Sequence, residues 1–270
     1  MERLTRRQLV ASLVRILAAR PRAPRSAAGN PLLKTILERR SRRRFREDDL
    51  TADERAAILE AGRLAPSTVN LQTWTFLPFD RGAWRRTFDR PLPLGAPWAV
   101  MILADARRAR RAFDFPAAPL CDHTVGVMNA SLAAMSMVLA AEVLGLGSCL
   151  LSETGRTGFY DAGELAATLE LPPGVLPLVT AVFGRTPRGR PRPVMPPKLP
   201  LSAVAPAGGY RDADAGVLEE WRRQMQAGYQ AASRGRSFTG QLDHYARRIA
   251  EAEADLRRLV LSEARDDSPA

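Results

Sequence analysis

The sequence predicts a domain that mixes helices and strands, α+β or α/β. Three observations carry that reading. Short apolar runs stand at residues 75–79, 98–103, 148–151 and 176–183. Stretches with helical character separate and flank them, at residues 31–40, 52–64, 83–88, 124–141 and 161–169. Hydrophobic residues are 46% of a 270-residue chain, enough to bury a substantial core in one large domain or two small ones.

The elements follow in order. Leu9, Val10, Leu13, Val14, Ile16 and Leu17 can line one broad helix face. Thr5-Arg6-Arg7-Gln8-Leu9-Val10 also looks like a twin-arginine export motif. Arg15 interrupts the apolar core such a signal needs, and residues 20–25 are basic and broken by proline. Ser26-Ala27-Ala28-Gly29 is small enough for cleavage but follows the wrong flank. An amphipathic helix packed on the domain or its partner, in a cytoplasmic protein, is the preferred expectation. Export through a degenerate signal is the alternative.

Pro31 suits a first helical turn, and Leu32, Leu33, Ile36 and Leu37 give that helix an apolar stripe. Thr51-Ala52-Asp53-Glu54 is a capping box opening the next helix, whose buried side is Ile58, Leu59 and Ala61. Pro66 ends it and a loop follows over residues 67–72. Pro78 argues that the first strand lies at an edge or exits early. The run from 98 to 103 reads as a clearer buried strand.

From 124 to 141 no residue is charged, close to the length needed to cross a bilayer. Asn129, Ser131 and Ser136 interrupt that run and Glu142 ends it, so a long buried helix capped near Gly145 is expected. After the strands and the short helix, residues 185–198 are basic and proline-rich. Residues 217–232 and 241–264 read as helices, with Tyr245, Ile249, Ala252 and Leu256 spaced to bury one side. That tail is an arm across a partner subunit or a lid.

Lys+Arg 40 against Asp+Glu 29 gives +11, which suits phosphates, dinucleotides or membrane surfaces. Much of this charge sits in Arg39-Arg40-Ser41-Arg42-Arg43-Arg44-Phe45, where five arginines and a serine precede one apolar anchor. Like charges one turn apart repel, whereas arginine forks match phosphate oxygens. A solvated basic face or a nucleic-acid patch is the plainer reading, but no recognition-helix or aromatic RNA-binding motif accompanies it. The two cysteines, Cys121 and Cys149, and the two histidines, His123 and His244, form no metal-ligand spacing and no disulfide framework.

The second informative stretch is Ala65-Pro66-Ser67-Thr68-Val69-Asn70-Leu71-Gln72-Thr73-Trp74. With the arginine run it resembles the FMN-dependent nitroreductase family, whose signature is Arg-Arg-Ser-x-Arg-x-Phe and then, after a helix, Ala-Pro-Ser-x-x-Asn-x-Gln-Pro-Trp. Thr73 stands where that family usually has proline. The resemblance spans about residues 31–204 and includes the order helix, Gly-Leu-Gly, strand, short helix, proline-glycine turn, strand, glycine. It implies an α+β fold: a central mixed or antiparallel sheet flanked by helices, in an intertwined homodimer with the uncharged helix at the dimer core. Residues 1–30 would be a basic amphipathic extension, 31–204 the FMN-binding domain and 205–270 a helical extension.

The resemblance also implies site residues. Arg39 and Arg40 would hold the FMN phosphate, joined by Lys198 ahead of Pro200-Leu201, with Arg190 or Arg192 as alternatives. Ser41 would serve the ribityl chain or ring edge, and Arg43 the pyrimidine side, as electrostatic stabiliser of reduced flavin. Asn70 and Gln72 suit the imide edge, Pro66 and Ser67 shape their loop, and Leu150, Leu151, Ser152 and Glu153 would pass the opposite ring face. The implied activity carries hydride from NAD(P)H through FMN to a small acceptor such as a nitroaromatic or quinone, with no catalytic side chain required. The alternative is a catalytically degenerate flavin-binding or partner-binding relative. Plainer readings stand beside these roles: Ser67 as a helix-end hydrogen bonder, Asn70 as a turn residue, Trp74 as core, Cys149 as a small buried apolar residue.

Overall fold

The computed structural model describes residues 4–18, 29–189, 195–232 and 237–261. In chain order the helices are α1 (Arg6–Ala18), α2 (Pro31–Glu38), α3 (Ala52–Arg63), α4 (Arg81–Phe88), α5 (Arg107–Phe113), α6 (Pro119–Val143), α7 (Ala162–Thr168), α8 (Leu201–Val204), α9 (Ala215–Ala232) and α10 (Phe238–Leu261). The strands are β1 (Trp74–Asp80), β2 (Trp98–Ala104), β3 (Gly147–Leu151) and β4 (Leu176–Gly184). Contacts divide the chain into two compact units, Met1–Ala28 with Arg192–Arg247, and Gly29–Pro191 with Arg248–Ala270.

The larger unit is built on one antiparallel sheet in the order β1-β2-β4-β3, so the fold is α+β. Every residue of β2 is buried, as a central strand covered on both faces requires. Its side chains alternate between two cores. Val100, Ile102 and Ala104 join Ile58, Ala133 and Met137 under α3 and α6. Ala99, Met101 and Leu103 join Trp84, Phe88, Leu165 and Val182 on the other face. β1 lies at an edge, and Pro78 sits within it opposite Val100, where a missing donor is tolerated.

The uncharged run becomes α6. It is long and apolar enough to cross a membrane by length and composition, yet it packs between α3 and the sheet. Its small residues allow the approach: Gly126, Ala130, Ala133, Ala134 and Ala141 are all buried. From the facing helix, Gly62 leaves room for Met137, with which a Cβ there would collide. Both bonds of the capping box form at Thr51 and Glu54. Arg185 then ties that helix start to the end of β4, donating to Glu54 Oε1 (2.6 Å) and Asp49 O (2.9 Å).

α5 has no counterpart in the sequence reading. Arginines fill four of its seven positions, so no apolar periodicity marks it. The expected stripe of α10 is also corrected. Ala252 and Val260 are buried, with Leu256 and Leu259 packed on the core, whereas Ile249 is 55% exposed and Tyr245 is exposed. Polar bonds set the turn of that helix: Arg248 donates to Asp161 Oδ1 (2.6 Å) and Tyr160 O (2.8 Å), and Gly163 N–H donates to Asp255 Oδ2 (3.2 Å).

In the smaller unit α1 packs on α9. Its buried ridge is narrower than the sequence suggests: Ser12 and Ile16 are buried, Leu9 and Leu13 are half-buried, and Val10, Val14 and Leu17 are exposed. One helix neighbour covers only one ridge. An Arg15–Glu220 ion pair (2.6 Å) flanks it. Trp221 Nε1–H reaches Pro197 O (3.4 Å), and Tyr229 packs on Phe238. Residues 26–28, Arg190 and Arg192 lie outside the described residues.

Candidate functional site

The loop between α3 and β1 is strained in a specific way. Val69, Asn70 and Gln72 have φ of 48, 57 and 50°, all left-handed. Such backbone costs about 1–3 kcal/mol per residue and is least tolerable for a β-branched side chain. Val69 is 87% exposed, so no core packing repays it.

What holds the loop is Asn129 of α6, fully buried beneath it. Thr68 N–H and Thr68 Oγ1 donate to Asn129 Oδ1 at 3.1 and 3.3 Å. Asn129 Nδ2 donates to Thr73 Oγ1 (2.8 Å), which donates to Val125 O (3.4 Å). One side chain therefore grips both ends of the strained segment. Ser67 Oγ accepts Gln72 N–H (3.1 Å) and closes the loop from inside, the plainer role kept for it above. Pro66, Asn70 and Gln72 are exposed. Asn70 and Gln72 line an open groove of about 820 Å³ with Phe76, Arg108 and Phe113, and Trp74 beside them is buried core.

The arginine run leaves α2 in extended form and lies along the outer edge of β3. Ser41 bridges Ser148 in parallel register, Arg42 N–H donates to Ser148 O (2.8 Å), and Arg46 N–H donates to Arg185 O (2.8 Å). Phe45 anchors it so closely that a Cβ on Gly184 would meet its ring at 2.9 Å. Arg40 is half-buried, its Nη1 donating to Leu37 O (3.0 Å) and Arg39 O (2.7 Å).

Ser41, Arg39 and Arg43 gather around Cys149. Burial pushes that thiol up; the Arg43 charge, the Ser41 hydroxyl and the Arg39 charge pull it back only in part. A buried, protonated thiol is a packing residue, not a redox group. Beyond it Leu151 is buried and Leu150 is 41% exposed. Ser152 O accepts Tyr160 N–H (3.4 Å) and Glu153 O accepts Arg156 N–H (3.3 Å), which fixes the backbone of this turn.

Two groups of candidates therefore form, and they are far apart within one chain. Trp74, at the amide loop, lies level with Ala104 and Leu176; Ser148, beside the arginines, lies level with Phe183 and Trp98. Six residues along the strands and three strand spacings across place them roughly 25 Å apart. No residue of the arginine run lines the amide-loop groove. Arg40 and Asn70 of one chain thus do not surround one cavity. Lys198 belongs to the smaller unit, where it is exposed.

The arginine group fits an FMN phosphate and ribityl chain by its chemistry. Its side chains from Arg39 to Arg44 are all donors, with no carboxylate among them. Ser148 Oγ, alongside, is buried with no hydrogen-bond partner. A polyhydroxy chain ending in phosphate supplies the acceptors that such a set lacks. Sequence reasoning missed Ser148 and Asn129. Asn129 had a signal, since an amide within a buried apolar helix must find partners.

Comparison with known proteins places the chain in a family. The sequence profile of the Nitroreductase family matches residues 36–90 and 84–185. An FMN reductase (NAD(P)H) of Bacillus subtilis strain 168 is 28% identical over 198 residues, 68% of this chain and 76% of the relative. An NADPH-flavin oxidoreductase of Vibrio harveyi is 24% identical over 206 residues, 74% of this chain and 83% of the relative. The solved structure of B. megaterium NfrA2 superposes with a TM-score of 0.69 at 21% identity, covering 86% of this chain and 98% of that one. Arginine run, amide loop, sheet order and profile match all fall within the same 150-residue stretch, and this chain belongs to the nitroreductase family.

Proposed function

We propose that the chain is an NAD(P)H-dependent FMN oxidoreductase acting on small acceptors such as nitroaromatics or quinones, and that each flavin is held between two copies. The carrying observation is the separation just described. The arginine group holds donors for a phosphate and the amide loop holds donors and acceptors for a ring edge, yet they stand at opposite corners of one sheet. A two-fold partner brings the loop of one copy to the arginines of the other. The exposed face of α6 supports such a pairing: Leu120, Met128, Leu132 and Val143 are 65, 48, 42 and 65% exposed. The two curated relatives are named for flavin reduction with NAD(P)H or NADPH.

In this reading Arg39 and Arg40 bind the phosphate, and Ser41 and Ser148 face the ribityl chain. Residues 150–153 offer a fixed backbone to one ring face. Asn70 and Gln72 of the second copy meet the imide edge on a loop preset by Asn129. FMN, when bound, supplies the transfer of hydride from nicotinamide to acceptor. Arg43 places a cation where negative charge develops. No side chain serves as nucleophile, and Cys149 stays buried and protonated. Residues 31–204 carry the flavin domain, which contains the whole profile match, with 1–30 and 205–270 as extensions. The packing of α1 on α9 as a folded helix supports a cytoplasmic protein over an exported one.

The test is anaerobic titration of the purified protein. The proposal expects yellow protein that NADH or NADPH bleaches and a nitroaromatic or quinone recolours. Yellow protein that neither nucleotide bleaches would favour a degenerate flavin binder; protein that cannot be loaded with FMN would refute the reading.

A further inference from the structure

α5 carries more positive charge than its fold position explains. Arg107, Arg110 and Arg111 fall at i, i+3 and i+4 and share one helix face. Arg110 and Arg111 sit in the last turn, where cations suit the helix dipole. Arg107 is in the first turn, where a cation is unfavourable, although Asp105 Oδ1 just ahead of the helix accepts its N–H (3.1 Å). Part of this charge is paired within the chain. Arg107 Nη1 donates to Pro173 O (3.2 Å), and Arg110 stands 3.6 Å from Asp122.

These arginines line an open pocket of about 560 Å³ with Asp114 and Phe115. Phe115 is 46% exposed and packs at 5.6 Å on Phe113, itself 61% exposed. Phe113 in turn lines the groove shared with Asn70 and Gln72. An aromatic pair therefore joins an arginine pocket to the groove at the proposed ring-edge loop, around the end of a single helix. A ligand that fits has a multiply charged anion at one end, a flat base beside it, and a further part reaching toward the amide loop.

We propose that this pocket receives the 2′-phosphate of NADPH, with the adenine against Phe113 and Phe115, and so selects NADPH over NADH. Arginine forks match a phosphate in two-point geometry, and exposed aromatic faces suit stacking of a base. The inference rests on the flavin oxidoreductase reading for its substrate but not for its geometry.

Calorimetry on the FMN-loaded protein tests it with three probes: 2′,5′-ADP, 5′-AMP and inorganic pyrophosphate. The proposal expects 2′,5′-ADP to bind at least tenfold more tightly than 5′-AMP. Arg111→Ala should weaken 2′,5′-ADP about tenfold, and the Arg107→Ala/Arg111→Ala pair further, without loss of FMN content, which reports the intact fold. The ratio of kcat/KM for NADPH to that for NADH should fall by a similar factor. Equal binding of 2′,5′-ADP and 5′-AMP, or unchanged 2′,5′-ADP binding in the double variant, would overturn the proposal. Pyrophosphate binding as tightly as 2′,5′-ADP would do so too, marking a general anion patch. Failure of both nucleotides to reduce the flavin would strike the flavin reading instead, and the binding arms would still decide this one.

Discussion

Removing the Asn129 side chain separates what a loop costs from what it does. In Asn129→Ala the contacts at 3.1 and 3.3 Å to Thr68 and at 2.8 Å to Thr73 vanish. Each buried hydrogen bond contributes about 0.5–1.5 kcal/mol net, and an orphaned buried N–H at Thr68 costs about 1–3 kcal/mol more. Rigid bookkeeping therefore gives roughly 2.5–7.5 kcal/mol. The loop need not stay rigid, however. Left-handed backbone at Val69, Asn70 and Gln72 stores about 1–3 kcal/mol each, and loss of the clamp lets that strain relax. The measured destabilisation should accordingly be about 1–3 kcal/mol in urea melts. Amide exchange at residues 68–73 should rise far more than in β2. FMN affinity should fall because the preset loop is lost. Asn129→Asp keeps the acceptor for Thr68 but loses the donor to Thr73, and should rescue Thr68 protection only. A loss above about 4 kcal/mol with loop exchange unchanged would refute a strained, clamped loop.

Two further outcomes follow from the geometry. Glu54 is held below the usual carboxylate range. Burial, the largest single influence, raises it, but Thr51 N–H and Arg185 together outweigh that. A lowered folded value means stability present above the ordinary range and lost as pH falls through the folded value. Glu54→Gln should cost about 1 kcal/mol at neutral pH, and chemical melts should show the gap to wild type closing on acidification. Leu132→Glu places a charge on the exposed apolar face of α6; on the proposed pairing of two copies, sedimentation should show wild type as a dimer and the variant as a monomer that has lost bound flavin.

The four strands were legible because each is a short apolar run, and α6 because eighteen uncharged residues with an amide and serines suit a buried helix better than a membrane span. α5 was not, since arginine hides periodicity. The stripes of α1 and α10 were read too broadly, because helical spacing says which residues align but not how many neighbours cover them. Arg39 to Phe45 and residues 65–74 were visible as chemistry, as types in fixed order. Their separation was not, because the sheet order β1-β2-β4-β3 is set by long-range pairing that no local motif records. Nor was the backbone at Val69, since a β-branched residue is among the poorest left-handed candidates.

Subunit complementation addresses the shared flavin most directly. Arg39→Ala/Arg40→Ala and Asn70→Ala/Gln72→Ala chains, carrying different tags, are each purified and then co-expressed and isolated as mixed dimers. Each variant alone should lose FMN, by about 1.5–3 kcal/mol for every charge-assisted contact removed with the arginines and about 0.5–1.5 kcal/mol for every neutral one removed with the amides. If one copy supplies the arginines and the other the amides, the mixed dimer rebuilds one intact site and retains one FMN per two chains. Mixed dimers as empty as either parent would mean that both groups serve the flavin from the same chain, and the account would be wrong.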